Sequence, residues 1–213
     1  MTDIKYIAIA DDHAMFRKTL AVLINLFPDY KVLFDAPNGK EFINQLNPEQ
    51  LPDIALLDIN MPVMDGYATS AWLHKNYPAL KILVLSTMED ETSIIKMIQC
   101  GAKGYVLKDA DPAELKFSFD EILTHDYFYN EPGDNSFNAS GIMDISTDTL
   151  VQFTQAEIAF LKYAGSELAY KDIAAKMNIN MHTLENMRNA LFTKLGVKTR
   201  VGLAIYAIKN ELA

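Results

Sequence analysis

Short apolar runs alternate with longer amphipathic stretches along the N-terminal part of the chain. Residues 6–10, 31–34, 54–57, 82–85 and 105–107 are mostly apolar at successive positions. Such runs suit strands covered on both faces in a parallel sheet, where no alternation is needed. Between them, residues 13–26, 39–46, 67–76, 91–100 and 112–123 repeat their apolar positions at helical spacing. Asp111 followed by Pro112 supplies an N-cap acceptor and a proline at the first helical position. Five such strand–helix units predict an α/β domain built on a doubly wound, five-stranded parallel sheet.

The pattern breaks over residues 125–150, which mix Gly, Pro, Asn, Ser and Asp without a sustained period. This stretch reads as a linker that couples two domains loosely, with Phe128, Tyr129 and Phe137 available to dock it. The remainder is wholly helical, with helices predicted at 155–164, 170–177, 181–195 and 200–212. Thr154 and Glu157 have the spacing of a capping box, and Phe153 and Ile158 that of a hydrophobic staple. Asn180 and Thr199 are placed to cap the third and fourth of these helices. Two short helices joined at Asn178-Ile179 make a helix-turn-helix candidate, and a small interaction bundle fits the same pattern.

Composition narrows the classes. Half of the 213 residues are hydrophobic, enough for a sizeable core. No apolar run approaches the roughly 20 residues of a membrane helix, and the N-terminus runs straight into an acidic segment, unlike a signal peptide. Cys100 is the only cysteine, so no internal disulfide forms, as expected in a reducing cytoplasm. The four histidines, His13, His74, His125 and His182, have no metal-ligand spacing and read as surface or boundary residues. The net charge of −9 is divided unevenly: residues 1–149 hold 11 Lys/Arg against 23 Asp/Glu, and residues 150–213 hold 8 against 5. The first part repels polyanions, so only the second can read DNA.

The chemistry sits at the strand ends. The first predicted strand leads into Asp11-Asp12, the third into Asp58, the fourth into Ser86-Thr87 and the fifth into Lys108. Ligands of open α/β sheets bind at the carboxyl ends of the strands, so these groups should converge on one cleft. Singly, each has a plain alternative: Asp12 capping a helix, Ser86 without a special task, Lys108 solvated in a loop. Together they suit phosphoryl transfer. Clustered carboxylates need a cation to stay ionised, Mg²⁺ prefers carboxylate oxygens with water and phosphate, and a carboxylate can take phosphorus as an aspartyl phosphate. Metal and ammonium would then neutralise the equatorial oxygens.

Asp11-Asp12, the segment from Leu56 to Gly66 (LLDINMPVMDG), Leu85-Ser86, and the segment from Gly101 to Lys108 (GAKGYVLK) resemble a two-component response-regulator receiver of the CheY-like kind, over residues 4–124. The resemblance implies a flavodoxin-like strand order of 2-1-3-4-5 and Asp58 as the phosphoacceptor, served by a sensor histidine kinase. It implies Mg²⁺ held directly by Asp12 and Asp58, through water by Asp11, and by the backbone carbonyl of Asn60. Lys108 would pair with the phosphoryl group, Ser86 would swing to bond it, and Tyr105 would turn inward behind Ser86. Such a chain is a phosphoacceptor that assists its own phosphorylation and dephosphorylation, not an enzyme acting on other substrates.

Lys171-Asp172-Ile173-Ala174, then Ile179, Thr183, Leu184 and Glu185, then the segment from Lys194 to Arg200 (KLGVKTR), resemble a LuxR-type (NarL/FixJ-type) helix-turn-helix domain over 153–208. The organisation is then receiver 1–124, linker 125–150 and helix-turn-helix domain 151–213. The helix at 181–195 would enter the major groove of promoter half-sites as part of a phosphorylation-dependent homodimer, with Lys171, Thr183, Lys194 and Lys198 on phosphates. The departures are Ala156, Ala159, Glu167, Tyr170, Met187 and Ala190 at positions where the family carries other residues. On a helical wheel Leu184, Leu191 and Leu195 face the core. The opposite side holds Glu185, Asn186, Asn189 and Thr193 without a cation, and Glu185, Asn186, Arg188 and Asn189 join the candidate DNA contacts. Asn and Glu can read bases, but phosphate neutralisation would rest on few lysines.

Three alternatives follow from the residues. A Mg²⁺-dependent phosphatase with an aspartate nucleophile would carry a second acid where Asn60 stands. A receiver-like domain that no longer takes phosphate would have lost site residues, and none is missing. A helical domain that binds a protein partner rather than DNA has no such residue against it.

Overall fold

The computed structural model describes residues 4–87, 90–129, 153–210 and 212, with the side chains of Ser86 and Tyr129 outside that description. The expected linker beyond Tyr129, Phe137 included, lies outside the described residues. By contacts, the described residues form two compact units, one holding 4–87 and 100–129, the other 90–99 and 153–212.

The first unit runs β1 (Lys5–Ala10), α1 (Ala14–Leu26), β2 (Tyr30–Ala36), α2 (Gly39–Gln45), β3 (Ile54–Leu57), α3 (Gly66–Asn76) and β4 (Lys81–Ser86). After α4 (Glu91–Gln99), which groups with the second unit, come β5 (Gly104–Leu107), α5 (Pro112–His125) and β6 (Phe128–Tyr129). All strand pairs are parallel, in the order β2-β1-β3-β4-β5-β6. The expected order of the first five strands is what the sheet adopts. Every β3 residue is buried, and Ile7, Ile9, Ile54, Leu56 and Leu83 share one core with Leu20, Ile24, Leu115, Phe119 and Ile122 from α1 and α5. Each such side chain contributes about 1.5–3 kcal/mol by leaving water. Helix starts are fixed by short polar side chains: Asn38 accepts from Glu41 N–H, Asp65 from Ala68 N–H, and Asp111 from Ala113 and Glu114 N–H.

A short sixth strand extends the expected five-stranded sheet at its β5 edge. Residues read as the start of a linker return instead to the sheet edge. Asp126 ends α5 in the left-handed region (φ 72°), and its carboxylate lies between the ammonium groups of Lys81 and Lys103. The Lys103 ammonium also bonds the Tyr127 hydroxyl at 3.0 Å and stands 4.3 Å above its ring. Phe128 N–H donates to the Lys103 carbonyl (2.8 Å), and its buried ring meets Phe117 edge to face. A two-residue strand has no period to read, which is why the pattern missed it.

The helices that follow are α6 (Gln155–Ala164), α7 (Tyr170–Lys176), α8 (Met181–Leu195) and α9 (Arg200–Lys209). Thr154 and Glu157 form the expected capping box on α6, while Asn180 caps α8 and Thr199 caps α9. Phe160, Leu161, Ile173, Leu184, Leu191 and Leu203 build their core. Phe153 packs edge to face on Tyr206. The Arg200 guanidinium is buried and caps the end of α6, donating to the carbonyls of Ala164 (3.1 Å) and Ser166 (2.7 Å). Val201, Ala204 and Ile205 of α9 are buried. No helix among the described residues is long and apolar enough to cross a membrane.

Gly66 opens α3 where the helix passes closest to β3. Its N–H donates to the Ile59 carbonyl (2.8 Å), and a Cβ there would run into the Asp58 carbonyl and Ile59 Cα. Gly66→Ala should therefore destabilise the first unit by about 1–3 kcal/mol, the usual cost of overpacking. Trp72 on α3 is the chain's one tryptophan, so urea unfolding followed by its fluorescence reports on this unit. An unchanged midpoint would contradict the close approach.

Candidate functional site

Parallel pairing brings the carboxyl ends of the strands to one edge of the sheet, and Asp11, Asp58 and Lys108 gather there. Asp11 follows β1, Asp58 follows β3 and Lys108 follows β5. Asp11 and Asp58 are 2 % and 5 % exposed. The Lys108 ammonium lies 2.7 Å from Asp11 Oδ2 and 2.9 Å from Asp58 Oδ2, bridging the two strand ends. Asp58 Oδ1 accepts the Ile59 N–H (2.8 Å), and Asp11 Oδ1 accepts the His13 N–H (2.7 Å). Asp12 is exposed at the rim.

Burial sets the electrostatics. Desolvation raises the Asp58 pKa above its ordinary value; the bond and charge of Lys108 oppose this, and Asp11 reinforces it. Desolvation alone would lower the Lys108 pKa, but its bonds to Asp11 and Asp58 outweigh it and hold the ammonium above its usual range. The two directions are compatible. Lys108 gains from two carboxylates, whereas Asp58 shares one ammonium and faces a second anion. The site is thus short of positive charge.

Asp11, Asp12, His13 and Asp58 each offer an atom within 4.8 Å of the others. Three carboxylates are the hard oxygen donors that Mg²⁺ takes, and a divalent cation would supply the missing charge, so the donor set fits that ion. Asn60, whose carbonyl was expected to join them, lies two residues past Asp58 on the exposed β3–α3 loop. In that loop Val63 takes a left-handed conformation (φ 69°) and is exposed. Tyr105 is buried on β5, in register with Val84. Ser86 ends β4, paired with Leu107, and the expected motion of its hydroxyl lies outside the described side chains. Beside Lys108 opens a cavity of about 420 Å³ lined by His13, Phe16, Thr87, Leu107, Lys108 and Asp109.

Two neighbours were not read from the sequence. His13, taken as an ordinary surface residue, sets its Nδ1 2.8 Å from Asp12 Oδ1. Arg17 is buried and donates to the Asp11 carbonyl (2.5 Å) and to Asp35 (2.7 Å). The available signal was a cation on the first turns of the helix after an acidic pair, with an acid at the end of the next strand.

In the second unit, Leu184 and Leu191 are buried, and Leu195 packs against the same core. Thr183, Glu185, Asn186 and Asn189 are exposed on α8, as are Lys171 and Lys198 nearby. The two cations of α8 already have partners, and Arg188 also donates to Asn189 Oδ1 on that face (3.3 and 3.4 Å). The Arg188 guanidinium lies 5.3 Å from the Tyr170 ring centre and 5.6 Å from that of Phe192. Lys194 pairs with Glu157 at 2.9 and 3.0 Å.

Residues 7–119 match the family described as response regulator receiver domain, and residues 151–207 match bacterial regulatory proteins of the luxR family. The oxygen regulatory protein NreC of Staphylococcus aureus (strain JH9) is 29% identical, over 97% of this chain and 98% of its own length. A LuxR-family two-component response regulator from Aurantimonas sp. SI85-9A1 is 29% identical, with a TM-score of 0.56 over 61% of this chain and 91% of that one. The response regulator ChrA of a heme-sensing two-component system is 25% identical, with a TM-score of 0.51 over the whole of both chains.

The raised Asp58 pKa has a measurable consequence. A carboxylate whose folded pKa is raised binds its proton more tightly when folded, so it lowers stability as pH rises through that pKa. Without divalent metal, Asp58→Asn should melt above the wild type at neutral pH, and the gap should close as pH falls into the carboxylate range. Lys108 acts oppositely, its contribution being kept at neutral pH and lost only at strongly alkaline pH. A variant that melts below the wild type at every pH would contradict this assignment.

Proposed function

The chain belongs to the response-regulator receiver family and carries a luxR-family regulatory domain, and on that premise we propose that Asp58 takes a phosphoryl group and so controls DNA binding. As a two-component response regulator, it is a regulator of transcription rather than an enzyme. The observation that carries the proposal is the Lys108 ammonium shared by Asp11 and Asp58 at adjoining strand ends.

Asp58 is the only one of these carboxylates at the end of the central strand β3. Its oxygen forms the bond to phosphorus as the donor nitrogen of a phosphohistidine on a sensor kinase, or the acyl oxygen of a small acyl phosphate, leaves with the bonding pair. Lys108 is in place to move from Asp58 Oδ2 to an equatorial phosphoryl oxygen while keeping its bond to Asp11. Asp11, Asp12, Asp58 and the Asn60 carbonyl would hold Mg²⁺, which neutralises charge on the phosphoryl oxygens when bound. The Ile59 N–H keeps Asp58 Oδ1 oriented. Ser86 then bonds the new phosphoryl group and Tyr105 turns inward behind it, which carries the change to the adjoining surface. The same donor set assists the later attack of water that removes the group. The kinase reaction and the DNA both place this chemistry in the cytoplasm.

For DNA, α8 presents Glu185, Asn186 and Asn189 to bases, with Thr183, Lys171, Lys194, Lys198 and Arg188 toward phosphates. Its outer face has no cation, and Arg188 and Lys194 are already engaged, so one domain gains little counterion release. A phosphorylation-dependent homodimer on two half-sites makes the second contact intramolecular and raises apparent affinity by roughly 10²–10⁴. The same engagement of Arg188 and Lys194 favours a second reading, in which the helical unit binds a protein.

Two experiments test these steps. In phosphate-affinity gels with acyl phosphate and Mg²⁺, the wild type should be retarded and Asp58→Asn should not; equal labelling of the variant removes the assignment. With beryllofluoride as the phosphoryl mimic, sedimentation should report a dimer, and DNA anisotropy should tighten with a steep salt dependence. Unchanged mass and affinity across the salt series would reject the dimer and promote the protein-partner reading.

A further inference from the structure

Every polar atom of Asp11 is held. Its N–H donates to the Ala36 carbonyl (3.1 Å), Oδ1 accepts from His13 N–H (2.7 Å) and Oδ2 meets the Lys108 ammonium (2.7 Å). Its carbonyl, the one oxygen in the peptide that joins Asp11 to Asp12, accepts from Arg17 Nη1 (2.5 Å). Three of these four contacts come from the backbone or from the site itself. The fourth comes from a side chain that ligates nothing. Arg17 reaches it from the first turns of α1, is 8 % exposed, and is oriented by a second bond from its Nε to Asp35 Oδ2 (2.7 Å) at the end of β2. Lys18 takes the other Asp35 oxygen at 2.7 Å. Burial would raise the Asp35 pKa, but the bonds from Lys18 and Arg17 outweigh it and keep this anchor ionised.

We propose that Arg17 is a positioning residue for the metal-binding carboxylates: anchored on Asp35, its guanidinium fixes the Asp11–Asp12 peptide and with it the spacing of the two acids. The proposal rests on the reading of these acids as the Mg²⁺ ligands. A planar guanidinium suits the task because one fork reaches a carbonyl and a carboxylate in fixed relative directions. The ammonium of a lysine keeps the charge but not the two directions. Neither bond touches Asp58, whose own contacts to the Ile59 N–H and the Lys108 ammonium remain when Arg17 is changed. The loss should therefore fall on metal affinity rather than on the maximal rate. Partners that orient metal ligands from behind typically account for about 10–100-fold in affinity.

The test uses the full chain. Mg²⁺ affinity is measured by calorimetry, phosphorylation by acyl phosphate is followed across Mg²⁺ concentrations, and urea unfolding is followed without metal. Arg17→Gln should weaken Mg²⁺ binding about tenfold or more and raise the half-saturating Mg²⁺ in proportion. At saturating Mg²⁺ its rate should stay within about twofold of the wild type, and Arg17→Lys should restore part of the affinity. An Arg17 that served only to tie α1 to β2 would lower the urea midpoint and leave Mg²⁺ affinity unchanged; that result overturns the proposal. If Arg17→Gln does not fold, Asp35→Asn, which removes the anchor alone, is judged by the same criterion. A wild type that binds no Mg²⁺ would overturn the metal-site reading and this inference with it. Normal wild-type binding with unchanged variants overturns the inference alone.

Discussion

Burying two carboxylates beside one another is the constraint that organises the first unit. An isolated charge in such a place costs several kcal/mol, and two like charges cost more. Lys108 meets this demand only because β1, β3 and β5 end together, so that one ammonium reaches Asp11 and Asp58 at once. The parallel topology is therefore part of the chemistry. An antiparallel strand among these three would send one of the charges to the far edge of the sheet. One ammonium against two buried carboxylates and a third at the rim still leaves the site short of positive charge, and that shortfall prepares it for a divalent cation.

The second unit answers a different constraint. Its helices must bury Leu184 and Leu191 while leaving a surface free for a partner. Tyr170 shapes that surface from behind. Its ring stacks on Phe160, and the guanidiniums of Arg188 and Arg200 stand 5.3 and 5.1 Å from its centre. Two cations are thereby held at one aromatic ring, and α8 presents an outer side of amides, a hydroxyl and one acid. Contacts of that kind select rather than attract.

What could be read in the sequence follows from how local each determinant is. Strands buried on both faces announce themselves as apolar runs, and Asp111, Thr154, Asn180 and Thr199 announce helix starts through bonds made within three residues. The convergence of Asp11, Asp58 and Lys108 was legible because strand ends in this topology share an edge. β6 was not, because two residues carry no period and the clamp of Lys81, Asp126 and Lys103 spans distant segments. Arg17 was missed for the same reason: its partners Asp11, just past β1, and Asp35, in β2, are distant from one another in the chain, and a lone arginine on a helix reads as solvated until its burial is known. The engagement of Arg188 by Tyr170 also needs the tertiary fold to be seen.

The central claim is that the charge balance at the converging strand ends makes Asp58, and no other carboxylate, the acceptor. Peptide-mapping mass spectrometry tests it most directly, after the full chain is treated with a small acyl phosphate and Mg²⁺ and the aspartyl phosphate formed on the protein is reduced by borohydride to homoserine. The account predicts a single modified residue, Asp58, with Asp11 and Asp12 untouched. Modification of Asp11 or Asp12, or none at all with Mg²⁺ bound, would contradict it.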